Sequence, residues 1–164
     1  MPTADQLIRH LALQPHPKEG GYFRETYRAA DSSPASPRYV GPRCASTAIY
    51  YLLTPNTFSA LHRLQTDEVF HFYLGSPVRM LQLGPDGHGR SIVLGPDVLN
   101  GQQLQLVVPR GVWQGSLLEP GGEFALLGCT VAPGFEYVDY DSGDRQTLLD
   151  QYPAFADLIH KLTP

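Results

Sequence analysis

Ser59-Ala-Leu-His-Arg-Leu-Gln-Thr-Asp-Glu-Val-Phe-His-Phe-Tyr-Leu-Gly75 decides the reading of this chain, because it sets two β-type runs, Ser59–Leu64 and Glu68–Leu74, on either side of the polar turn Gln65-Thr-Asp67. Side chains alternate across a strand, so His62 shares a face with Ala60 and Leu64, and Glu68 shares one with Phe70 and Phe72. Val69, His71 and Tyr73 fall on the opposite face. If Glu68 points into a barrel, His71 points out of it, towards a neighbouring shell or an interface. The three-residue turn is expected to close a hairpin and bring His62 within reach of Glu68 across the pair.

Outward from this stretch the same texture continues. Short β-type runs at Tyr22–Arg28, Ser46–Leu53, Val78–Leu83, Ser91–Leu94, Gln103–Val108, Val112–Leu118 and Glu123–Val131 are punctuated by turns such as Gly84-Pro-Asp-Gly-His-Gly89. The turns come too often for helices to fit between them, which predicts an all-β sandwich or closed barrel over residues 17–140. Thr3 and Gln6 form a capping box ahead of Leu7, Ile8 and Leu11, predicting an N-terminal helix from about Ala4 to Leu13, within residues 1–14. Residues 143–162 carry two further helical patterns interrupted at Pro153. At 164 residues, with neither repeat nor linker, one domain over 1–164 is expected.

A formal net charge of −4 with no block of Lys and Arg argues against nucleic acid, whose phosphates need clustered cations. No apolar run approaches membrane-spanning length and Met1–Leu13 lacks the apolar core of a secretion signal, so a cytoplasmic protein without a membrane partner is expected. Cys44 and Cys129 sit far apart, outside any C-x-x-C pairing, and Cys129 lies in an apolar run; both read as thiols. His10, His16, His88 and His160 fall in terminal segments or turns and read as solvated.

The pattern resembles the first motif of the cupin superfamily, H-x-H followed by Glu and then Gly, at His62, Glu68 and Gly75, with Leu64 in place of the second histidine. Pro109-Arg-Gly111-Val-Trp-Gln114 resembles the second motif, with Gln114 where the last histidine ligand would stand. The segments Pro17–Arg28, Ser46–Leu53, Asp67–Gly75, Val108–Gln114 and Gly128–Phe135 together are similar to a small cupin branch catalogued as a family of unknown function. The resemblance implies a double-stranded β-helix, the RmlC-like jelly-roll barrel, with an internal pocket and a homodimer, the latter also suggested by aromatic positions such as Trp113 and Tyr73 that need cover.

Three functions suit such a pocket. His62, Glu68 and Gln114 could be an open three-ligand site for Zn, Mn, Fe or Ni, although a neutral amide is a poor donor to a transition metal. Without a metal, Glu68 could raise the basicity of His62, which would take a proton from carbon beside a carbonyl while Tyr50 or Tyr73 returns one, in an isomerase or epimerase. Alternatively the barrel is a binding or sensing module in which His62 and Glu68 satisfy each other. Phe70 and Phe72 are expected to wall the pocket with Glu68, and Gln114 and His71 are further candidate ligand contacts. In Tyr22-Phe-Arg-Glu-Thr-Tyr-Arg28 simple alternation puts Arg24 with Thr26 and Arg28, and Glu25 with Phe23 and Tyr27. An arginine at the barrel mouth would favour a small molecule bearing a carboxylate or phosphate, or would simply protect an edge strand.

Overall fold

The computed structural model describes residues 2–164. Helix α1, Ala4–His10, carries the full capping box between Thr3 and Gln6. It stops three residues short of the expectation because Ala12 turns into the left-handed region, φ 52°, and the Leu13 amide donates to the Ile8 carbonyl, which tucks Leu13 into the core.

Among the described residues eleven strands follow: β1 Gln14–Pro15, β2 Tyr22–Arg28, β3 Thr47–Leu53, β4 Ser59–Arg63, β5 Glu68–Gly75, β6 Val78–Leu83, β7 Gly89–Leu94, β8 Gln105–Val108, β9 Trp113–Leu118, β10 Ala125–Val131 and β11 Asp141–Ser142. They form two antiparallel sheets, ordered β1-β2-β3-β10-β5-β8 and β11-β4-β9-β6-β7. From β3 to β11 sequence neighbours alternate between the sheets except at the β6–β7 hairpin, the arrangement of a jelly roll, and the apolar inner faces meet in one core that includes Tyr51, Leu53, Phe70, Phe72, Val78, Met80 and Leu127.

One expectation is corrected here. Gln65-Thr-Asp67 closes no hairpin: β4 pairs with β9, whereas β5 pairs with β10 and β8. The turn is a corner that carries the chain from one sheet to the other. His62 and Glu68 therefore face each other across the barrel interior rather than along a shared ladder.

Helices α2, Arg145–Gln151, and α3, Ala156–Lys161, cover the outer face of the five-stranded sheet, burying Leu148, Ile159 and Leu162 against Leu61, Leu81 and Leu83. Trp113, expected to await a subunit partner, packs in this cluster with the Arg63 guanidinium 4.3 Å over its ring. The α1 region covers part of the six-stranded sheet through Leu7, Leu13, Leu52, Phe124 and Leu126. No helix among the described residues is long and apolar enough to cross a membrane.

Candidate functional site

A cavity of about 330 Å³ opens at one end of the barrel, a volume at the small end of the range for organic ligands. Leu64, Ile49, Val131, Phe23 and Phe135 wall it; His62, Glu68, His16 and Glu19 bring polar groups to it; Arg28, Glu25 and Glu136 belong to its rim.

The register of β4 on β9 sets His62 opposite Gln114. The His62 Nδ1 lies 2.7 Å from the Ala60 carbonyl, which can only accept, so Nδ1 carries a proton and Nε2 is left with its lone pair in the neutral ring. Gln114 Nε2 donates to that lone pair at 3.0 Å and to Glu68 Oε2 at 3.2 Å. The expected direct contact of His62 with Glu68 is thus bridged by an amide. On the other side of the imidazole the Tyr140 ring stacks at 4.6 Å, tilted by 15°. All three polar residues are deeply buried, Gln114 completely.

A second carboxylate completes the cluster. Glu19 Oε2 stands 3.7 Å from both His62 Nε2 and His16 Nε2, and its Oε1 accepts from Ser59 Oγ at 2.6 Å. The Glu19 and Lys18 amides donate to His16 Nδ1 at 2.9 and 3.3 Å, so the proton of neutral His16 sits on Nε2, towards Glu19. Burial lowers the His16 pKa, with Glu19 opposing the shift and holding part of it back. Burial also dominates at Glu68, pushing its carboxyl up to about 7; the His62 imidazole resists and the Glu19 charge reinforces the rise. The thiol of Cys129, 3.9 Å from Glu68 Oε1, is pushed well above its ordinary value first by burial and then by that carboxylate. Glu19 thus stands against the imidazole edge while Glu68 reaches it through the Gln114 amide, and Glu68 holds a proton through mildly acidic conditions.

The donor set does not fit a metal ion. No group of three His, Cys, Asp or Glu side chains among the described residues is placed to hold one. Gln114 turns its amide nitrogen, not its oxygen, towards His62 Nε2 and Glu68 Oε2, and the oxygen a metal would require is buried without a partner.

The other expected site residues lie elsewhere. Phe70 and Phe72 share the inner face with Glu68 but fill the closed half of the barrel rather than the cavity. His71 is on the outer face, bonded to Thr130 Oγ1 and Gln105 Nε2 at 3.3 Å each and stacked near Tyr73. Tyr50 and Tyr73 are also outside, edge to face at 6.0 Å, so neither reaches the cavity to return a proton. A Cβ on Gly128 would collide with the Tyr73 ring, so glycine there lets that ring lie down on the sheet. Arg24 is outside too, its guanidinium 5.9 Å from the Tyr50 ring.

Arg24 and Arg28 are separated by a bulge. The pairing of β2 with β3 shifts between Glu25 and Tyr27, so the extra residue reverses the alternation and brings Arg28 to the side of Phe23 and Glu25. His16, expected to be solvated, instead buries its side chain at the cavity, and Glu19 was not singled out at all, for a related reason. Gly20 and Gly21 both adopt positive φ, 95° and 68°, and a Cβ on Gly20 would strike the Phe58 carbonyl. This turn folds residues 16–19 over the barrel mouth, and the Gly-Gly pair was the only signal for it. Tyr140 reaches His62 through the short strand β11, which pairs with β4.

Comparison with known proteins agrees with this architecture. The family model described as "Cupin superfamily (DUF985)" matches residues 5–142. A Saccharomyces cerevisiae protein, "Uncharacterized protein YML079W", is 35% identical over 153 residues, covering 84% of this chain and 74% of the yeast protein. Among solved structures, a hypothetical protein from Leishmania major superposes with a TM-score of 0.90 at 32% identity, covering 99% of both chains. Protein SO0799 from Shewanella oneidensis superposes with a TM-score of 0.88 at 34% identity, covering 100% of this chain and 99% of its own. The chain therefore belongs to the cupin superfamily, in its DUF985 family.

Proposed function

We propose that this cupin binds a small organic molecule in the barrel cavity and transfers a proton on it, as an isomerase or epimerase does, with Glu68 and His62 as the exchanging groups. The observation that carries this reading is the gathering of Glu68, Glu19 and His62 in a cavity walled by Leu64, Ile49, Val131, Phe23 and Phe135. A carboxyl titrating near 7 can give and take a proton at neutral pH. His62, with Nδ1–H held by the Ala60 carbonyl, offers Nε2 as the acceptor, and Glu19 stabilises the imidazolium that forms. A proton leaving carbon beside a carbonyl would pass to Nε2, and Glu68 would return one to the resulting enolate. Gln114, which bonds both groups, acts as a positioning residue.

The test is solvent exchange. Purified protein in D₂O, incubated with a panel of α-hydroxy aldehydes and ketones, should remove the carbon-bound proton of at least one member by NMR. Glu68→Gln and His62→Ala should each slow that exchange by about 10²-fold or more. A panel member that binds without exchange, and binds Glu68→Gln equally well, would refute proton transfer. That outcome would favour the second reading, a binding or sensing module, which rests on the Gln114 amide already occupying the His62 lone pair.

A further inference from the structure

The rim of the cavity holds an arginine with no hydrogen left to give. Arg28 Nε donates to Glu25 Oε1 at 2.9 Å and Nη2 to Glu25 Oε2 at 3.0 Å, a bidentate pair. Nη2 also donates to the Phe135 carbonyl at 3.2 Å, while Nη1 serves Glu136 Oε1 at 2.8 Å and Cys44 Sγ at 3.7 Å. A guanidinium has five N–H groups, and these contacts account for five. Two carboxylates against one cation also leave the rim with a surplus negative charge.

Deeper in, the excess charge is also negative: Glu19 adds a carboxylate beside two neutral imidazoles. Glu19 Oε2 stands 3.7 Å from two imidazole edges, longer than a hydrogen bond, and His62 spends its N–H on Ala60. Lys18, the other cation near the mouth, has its ammonium over the Tyr137 and Tyr140 rings at 5.7 and 5.4 Å. An anion entering here would have to break the Arg28 pairs and then approach Glu19, whereas a hydroxyl or an ammonium would meet the Glu19 Oε2 acceptor between apolar walls.

We infer that the cavity selects an uncharged or cationic ligand, a hydroxy or amino compound with an apolar portion, and excludes carboxylates and phosphates. The inference rests on the reading of the cavity as a ligand site, and it replaces the anionic ligand that an arginine at the barrel mouth suggested. Arg28, the one arginine lining the cavity among the described residues, is a strut that shapes the rim, and Glu19 is the specificity-determining group.

Three probes of one shape and different charge test it: benzylamine, benzyl alcohol and benzoate, titrated at neutral pH and followed by NMR shifts of cavity residues such as Ile49 and Val131. Benzylamine and benzyl alcohol should bind at least about tenfold more tightly than benzoate, and Glu19→Gln should narrow the gap between amine and alcohol. Glu25→Gln combined with Glu136→Gln, both at the solvent-facing rim, should raise benzoate affinity by about fivefold or more by releasing Arg28 donors. Benzoate binding the unmodified protein as tightly as the amine would overturn the inference and leave the ligand site standing. If none of the probes shifts any cavity resonance, the ligand site and the inference fall together. Benzoate affinity unchanged by the rim variant would overturn the role given to Arg28.

Discussion

The inner face of β5 passes, within five residues, from one kind of protein interior to another. At Phe70 and Phe72 the barrel is filled, with Tyr51, Val78, Met80 and Leu127 closing around the rings. At Glu68 the same face meets an imidazole, an amide and a cavity. The closed half holds the two sheets together by burying apolar surface. The open half retains buried polar groups whose desolvation shows in the raised Glu68 pKa. Stability and chemistry are thus separated along one strand, and substitutions at its two ends should behave in opposite ways.

The largest effect is expected at the closed end. Phe70→Ala should cost about 3–5 kcal/mol of unfolding free energy, measured by urea denaturation, because the surrounding side chains cannot collapse into the space left. A loss below about 1 kcal/mol would mean that the closed half is not the main source of cohesion. At the open end Glu68→Gln should stabilise the protein. Folded Glu68 holds its proton more tightly than the unfolded chain does, so its stability contribution is full below pH 4.5 and is lost as pH rises through about 7. The gain from removing the charge should therefore be greatest near pH 8, at most on the order of 3 kcal/mol, and should fade towards pH 4.5. Urea midpoints of variant and parent that differ equally at pH 5 and pH 8 would contradict it.

His16 titrates with the reverse sign. Its pKa is lowered by burial, so the folded state favours the neutral ring, and stability is lost as pH falls through the ordinary histidine range. His16→Gln should flatten the acid limb of a thermal-melt profile between about pH 7 and 5 and shift stability at pH 7.5 by no more than about 1 kcal/mol. A steeper acid limb in the variant would place the titrating group elsewhere. The smallest effect belongs to the outer face: His71→Ala, losing two long hydrogen bonds at 3.3 Å, should change stability by about 0.5 kcal/mol or less and leave probe binding in the cavity unaltered.

Much of this contrast was legible in the chain. Alternation over Glu68–Leu74 separated the inward Glu68, Phe70 and Phe72 from the outward His71 and Tyr73, because a period of two survives whichever strands become the neighbours. An all-β sandwich or barrel was equally legible from turn spacing, and the cupin family from motif resemblance. What alternation could not reveal was phase: one extra residue near Thr26 exchanged Arg24 for Arg28, and no local pattern announces a bulge. The same alternation already turned Tyr73 away from Glu68, against its candidacy as an acid, whereas the side of the sheet that Tyr50 occupies was left open. Glu19, His16 and Tyr140 come to the site from outside the two motifs, through a turn and a short strand whose positions depend on tertiary packing.

The corner Gln65-Thr-Asp67 has a consequence of its own. Because it carries the chain from the wall holding His62 to the wall holding Glu68, its length works as a spacer setting the rotational timing between the two strands. Adding one residue there would either turn Val69 inward in place of Glu68 or pull β5 out of step with β8, where Glu68 now stands opposite Val108. The short connector between Arg63 and Glu68 keeps acid and imidazole in time with each other.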